Sequence, residues 1–188
     1  MEVTNALLVA LLFITILTIG IGNVLIAIGT IIDRRSILQL DWMLGSWIFI
    51  LLLLHLDLFW LTLTILEIEN WGFSGFVYTV LGPMLLFLAS HLLVSTPEDE
   101  IQGFSRSHYL AFERSFFAVL SLAMIWEVGL DATIGDGLTA ESVWSLAGFA
   151  LFATLATTKN ERVHAAGTAL AWVLLLALFV MRGMGAFA

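Results

Sequence analysis

Two ionisable side chains stand two positions apart in the middle of a long apolar run, His55-Leu56-Asp57, with leucines before them and Leu58, Phe59 and Trp60 after. An acid or imidazole at such a place is costly in hydrocarbon and marks a functional site by default. Counting along the run puts Asp57 about four residues past its middle, roughly 6 Å along a helix axis. A carboxyl group there must be protonated, paired, or turned toward a wet cavity. Two residues along a helix rotate the side chain so that His55 and Asp57 point about 160° apart, and each needs its partner on another helix. Glu127 is the partner of Asp57 by depth, in the outer part of a later apolar run. Two carboxyl groups held close together favour keeping a proton on one of them, which suits proton or cation handling. The plainer reading has Glu127 reaching the outer interface and Asp57 bonding a neighbouring hydroxyl. Asn23 shares one helix face with Gly20, Ala27 and Thr30. That stripe reads either as a packing seam of small residues or as a place where Asn23 lines a polar cavity.

Other chemistries fail on residue type or depth. A haem held by two histidines needs both at one level, and His55 falls about 3 Å outward of centre while His91 falls about 10 Å inward. His108 and His164 lie near one membrane boundary and could meet, with no second pair deeper in, so a b-type haem is the least favoured reading. A retinal Schiff base needs a buried lysine, and the one lysine, Lys159, lies in a loop. Ser90-His91 are adjacent and face different ways, which suits no intramembrane protease. The chain has no cysteine, which removes disulfides, thiolate metal sites and cysteine catalysis. No nucleotide loop, zinc-protease helix or nucleophile elbow occurs. No cofactor, no metal site and no enzymatic activity are expected.

The elements that must position these residues are membrane helices. The 188 residues are 61% apolar and 12% charged, against roughly 45–50% and 25% in soluble domains. Six apolar stretches use most of that length at about 20–25 residues each, at residues 5–32, 38–66, 73–94, 109–130, 142–158 and 163–181. The fold class is therefore an all-α membrane protein, a single domain over 1–188, with six spans in three antiparallel hairpins. Six of the seven basic residues fall in alternate gaps: Arg34 and Arg35, Arg106 and Arg114, Lys159 and Arg162. That pattern places the first, third and fifth loops in the cytoplasm and both termini on the other side, in a bacterial inner membrane. The first stretch reads as a retained helix, because it lacks a positive start and ends in Asp33-Arg34-Arg35.

Local signals refine the spans. Gly82-Pro83 in the third should kink it, since proline removes an internal hydrogen bond. In the third loop, Ser95-Thr96-Pro97 followed by three acids predicts a short helix ending at Gly103. Asp131 to Gly137 reads as a turn-rich outer loop. Trp42, Trp71 and Trp144 fall at interfaces, where indole rings are favoured. The five-residue link 159–163 makes the last two spans a tight hairpin. The net charge of −8 lies largely on the outer face, and with no basic patch nucleic acid is not a partner.

The segment His108-Tyr109-Leu110-Ala111-Phe112-Glu113-Arg114-Ser115-Phe116-Phe117 mixes aromatic and charged residues at a membrane boundary. Together with Leu-Gly-Pro at 81–83 and with Trp47, His55 and Trp60, it resembles a family of bacterial integral membrane proteins over roughly residues 10–120. That family shows an arginine-rich first loop, a tryptophan-rich second span, a proline in the third, and an acidic loop leading to His-Tyr and Phe-Phe. The resemblance implies a fold and no mechanism. The first loop here, with two arginines, is less basic than the family pattern.

The expected function is a small proton or cation channel or transporter. Asp57 and His55 form its polar centre, Glu127 an outer site, Asn23 a further lining residue, and Pro83 the kink that opens a cavity. Six short spans enclose little volume, which favours a homo-oligomer in the lipid bilayer. The alternative is an accessory or scaffold protein that binds another membrane protein or lipid, with His108, Tyr109 and Arg114 as its contact surface.

Overall fold

The structure, a computed structural model, describes residues 5–33, 41–68, 70–94, 106–133 and 140–185, and side chains over most of these. Every element among them is a helix: α1 (Asn5–Asp33), α2 (Trp42–Trp60), α3 (Thr62–Glu67), α4 (Phe73–Val94), α5 (Arg106–Thr133), α6 (Ala140–Thr157) and α7 (Glu161–Gly185). Five stretches among the described residues are long and apolar enough to cross a membrane: Asn5–Asp33, Trp42–Glu67, Phe73–Leu93, Phe112–Thr133 and Glu161–Met181. The sixth apolar helix, Ser142–Thr157, is shorter. In lipid a helix satisfies its backbone internally, so such runs fold this way wherever water is excluded. The protein is an all-helical, multi-pass membrane protein. Arg34, Arg35 and the helix expected at 97–102 lie outside the described residues.

Packing between helices in lipid comes from close fit more than from expelled water. On α1 the buried residues Val9, Phe13, Leu17, Gly20, Val24 and Ala27 recur every three or four positions and form the seam against α4 and α2. Gly20 is the tightest point: a methyl group there would run into the His55 imidazole and meet the Phe87 backbone at 3.4 Å. Asn23 lies on the same seam and donates from Nδ2 to Ser90 Oγ at 3.3 Å.

Span two differs from a single continuous helix. Asp41 caps α2, its carboxylate accepting from the backbone N–H of Met43 and Leu44 at 2.9 and 3.2 Å. The helix then tightens at Leu61, whose N–H bonds back to Leu58 O at 3.2 Å, and α3 continues the path. The break falls where the sequence turns to Thr62, Thr64 and Ile65, β-branched residues that lower helix propensity.

α4 continues through Pro83. Close to the proline α5 adds a bond across the helices: Trp126 Nε1 donates to Tyr78 O at 2.7 Å. Tyr78 Oη returns a bond to Trp126 O at 3.0 Å. Gly82 makes room for this exchange, since a side chain there would overlap the Trp126 ring. The Gly-Pro pair thus fixes α4 against α5.

Candidate functional site

α2, α5, α6 and α7 form a half-open cleft of about 60 Å³, walled by Ile50, Met124, Trp144, Phe152 and Leu175 and bearing Asp57, Glu127 and Ser145. Asp57 and Glu127 also line a second, half-open recess of about 30 Å³ between α2, α4 and α5, beside Gly82 and Trp126. The two acids therefore stand on the wall shared by both spaces. Ser145 Oγ donates to Glu127 Oε2 at 3.0 Å, so α6 orients the Glu127 carboxyl group. No lysine, arginine or histidine is among the described lining residues of either space. Trp144, expected only as an interface anchor, forms part of the cleft wall.

His55 takes the opposite face of α2. Its ring is fully buried toward α1, with Nδ1 2.7 Å from Leu51 O. A carbonyl only accepts, so Nδ1 carries the proton. Nε2 is buried against Gly20 without a hydrogen-bond partner. The sequence places His55 and Asp57 in one polar centre, and the structure separates them: the histidine packs into the α1 seam and the acid lines the cleft. Asn23 stays with Ser90 on that seam, away from the cleft-lining residues. Pro83 borders no cleft wall, although its neighbour Gly82 does. His91 is exposed and stacks on Phe87 at 6.4 Å, so it does not meet His55.

A second polar cluster lies toward the other end of α5 and α7. Tyr109 Oη is 2.7 Å from His164 Nδ1. His164 Nε2 is 3.0 Å from Thr158 O and 3.5 Å from Glu113 Oε2. All three side chains are inside the bundle, Tyr109 at 0%, His164 at 1% and Glu113 at 5% exposure. The Thr158 carbonyl accepts from Nε2–H, which leaves Nδ1 of a neutral ring to accept the Tyr109 hydroxyl proton. Thr168 Oγ1 donates to His164 O at 2.9 Å, and Asn160 Oδ1 caps the start of α7 through Arg162 N at 3.0 Å. The contact surface expected of His108, Tyr109 and Arg114 is thereby changed. Tyr109 points inward to His164 and presents nothing to a partner, Arg114 is exposed, and the His108 side chain lies outside the described residues. The signal for this cluster is in the sequence: Tyr109 and Glu113 are four apart and share a helix face.

Aromatic rings separate the two polar regions. Trp47 packs edge-on against Phe117 at 4.8 Å and Phe152 at 5.8 Å. Phe117 in turn lies 5.5 Å from the His164 ring, and Phe152 lines the cleft. One layer of rings thus stands between the acidic cleft and the buried histidine. No protein-family model, no curated protein and no solved structure matches the chain.

Proposed function

We propose that the protein moves protons or small cations across a membrane, as a transporter or gated channel in which Asp57 and Glu127 form the binding site. One observation carries this: two carboxyl groups from different helices, α2 and α5, line one cleft inside an otherwise apolar bundle. Acids are expensive there, and a wall without basic residues favours a cation or a proton over an anion or a neutral solute. The layer of Trp47, Phe117 and Phe152 suits a closed state whose opening needs these rings to part. His55 leaves the pathway and becomes a packing residue on this reading. The shorter α6 counts as the fifth of six spans, so the helices form three hairpins, with the loops after α1, α4 and α6 in the cytoplasm. The exposed Arg114, Lys159 and Arg162 lie toward that end. The small enclosed volume and the apolar outer belt favour a homo-oligomer in the inner membrane of a bacterium.

The test is flux in proteoliposomes, read with a pH dye and with potassium or sodium gradients. The unaltered protein is expected to conduct, and Asp57→Asn to lower the rate at least tenfold. Absence of flux in the unaltered protein, or equal flux in Asp57→Asn, overturns the proposal in favour of an accessory role.

A further inference from the structure

The buried cluster on the far side of the aromatic layer is a site in its own right. Its three groups come from two helices: Tyr109 and Glu113 from α5, His164 from α7. Each is at least nine-tenths buried, and among the described residues Glu113 Oε2 has no hydrogen-bond partner. The His164 imidazole stands beside that oxygen, with Nε2 at 3.5 Å.

Counting protons shows what the cluster can hold. With His164 neutral, Tyr109 donating to Nδ1 and Glu113 ionised, the cluster carries one buried negative charge. Such a charge is costly in an apolar surround unless it is paired or neutralised. Adding one proton removes it in either of two ways: imidazolium beside carboxylate, or neutral ring beside carboxylic acid. The 3.5 Å separation lets these two arrangements exchange with a small movement of either side chain. When the ring is protonated, Nδ1–H donates to Tyr109 Oη, so the phenol reverses its role without leaving its place. A metal ion would need more ligands than this: no group of three or more His, Asp or Glu among the described residues could hold one.

The surroundings fit a proton. Among the described residues, Tyr109 and Glu113 face the ring from α5, together with Phe117, and the Thr158 carbonyl faces it from the link after α6. At the same end Asp41 caps α2, while Arg114, Lys159, Glu161 and Arg162 are exposed. Thr158 is followed directly by exposed Lys159 and Asn160, so the carbonyl that holds Nε2–H stands one residue from solvent.

We infer that Tyr109, His164 and Glu113 form a second proton-binding site, holding one proton shared between His164 and Glu113 and standing in series with the Asp57–Glu127 cleft. The position in series rests on the transport reading; the binding of the proton does not.

The experiment labels the histidine rings with ¹⁵N in purified, detergent-solubilised protein and follows His164 by NMR while pH is lowered. His164 assigned by loss of its signals in His164→Gln is expected to start as the Nε2–H tautomer and to take up one proton. Glu113→Gln removes the carboxylate that shares the proton, so the Nε2 ¹⁵N shift of the protonated ring should move measurably from its value in the unaltered protein. Tyr109→Phe removes the hydroxyl at Nδ1 and should move the Nδ1 ¹⁵N shift while the Nε2–H tautomer, held by the Thr158 carbonyl, persists; it serves as the second arm if Glu113→Gln does not fold. A ring that never takes up a proton while the protein stays folded overturns the proposal. So does an Nε2 shift of the protonated ring that is equal in Glu113→Gln and the unaltered protein, or, where only the second arm is available, an unchanged Nδ1 shift in Tyr109→Phe. Proton uptake with no flux in liposomes would remove the transport reading and leave this site standing.

Discussion

The cleft and the buried cluster both set acids and hydroxyls inside the bundle, the cluster adding a histidine, and they differ most in what surrounds them. Asp57 and Glu127 border a half-open cleft of about 60 Å³, whereas Glu113 and His164 are enclosed by Phe117, Tyr109 and the start of α7. An acid beside open space can exchange its counter-ion or proton with a solute. One enclosed on every side can hold only what fits within hydrogen-bond distance. The difference between the regions is therefore one of access. Both regions carry acids, and packing decides what each can exchange.

Chemical access separates the regions most strongly. The chain has no cysteine, so a single introduced thiol reports on one place only. Asp57→Cys should react with a small charged thiosulfonate reagent at least a hundredfold faster than Thr168→Cys, beneath His164. Equal rates would erase the distinction between an open and a closed polar region.

Packing should separate them next, and α7 allows the test within a single turn. Gly167 and Ala171 lie four residues apart on one face. A side chain at Gly167 meets Leu155 Cδ2 at 2.7 Å, at the closed end, whereas Ala171 borders the cleft. Gly167→Leu is expected to cost about 2–3 kcal/mol through overpacking, read as a clear fall in thermal unfolding temperature in detergent. Ala171→Leu points into the half-open cleft, so its stability cost should be smaller, about 1 kcal/mol, while flux falls. A reversed order would mean that the cleft is closed in the folded protein.

What the sequence revealed of this contrast follows from helix geometry. A rise of 1.5 Å per residue and alternating directions set the depth of each side chain, so Asp57 and Glu127 were matched before their helices were seen together. The rotation per residue likewise set His55 facing away from Asp57. Neither rule says which helices touch. That His55 faces α1 follows from Gly20, whose missing side chain admits the ring, and a glycine within a small-residue stripe does not announce what it admits. Tyr109 and Glu113 were visible as an i, i+4 pair, yet their partner is 51 residues further on, at the start of α7. Only packing could choose between His164 and a surface partner. The break at Leu61 was hidden for another reason: no glycine or proline marks it, and apolar composition runs straight across.

The smallest expected effect compares two tyrosines, one at the closed cluster and one at the latch between α4 and α5. Tyr109→Phe removes the hydroxyl that bonds His164 Nδ1 at 2.7 Å in a fully buried setting. It leaves a buried ring nitrogen unsatisfied, at a cost of about 1–3 kcal/mol. Tyr78→Phe removes a bond at 3.0 Å to Trp126 O in a part-buried setting. That carbonyl lies within α5 and keeps its helical donor, and Trp126 Nε1 still holds Tyr78 O. The expected cost is about 0.5–1 kcal/mol, measured for both variants by reversible unfolding in mixed micelles. Because a phenylalanine ring fills the same space, any difference between the two reports on the lost hydrogen bond alone. Equal losses would mean that the His164 nitrogen finds another donor when Tyr109 is gone, and that the cluster admits water the cleft was thought to monopolise.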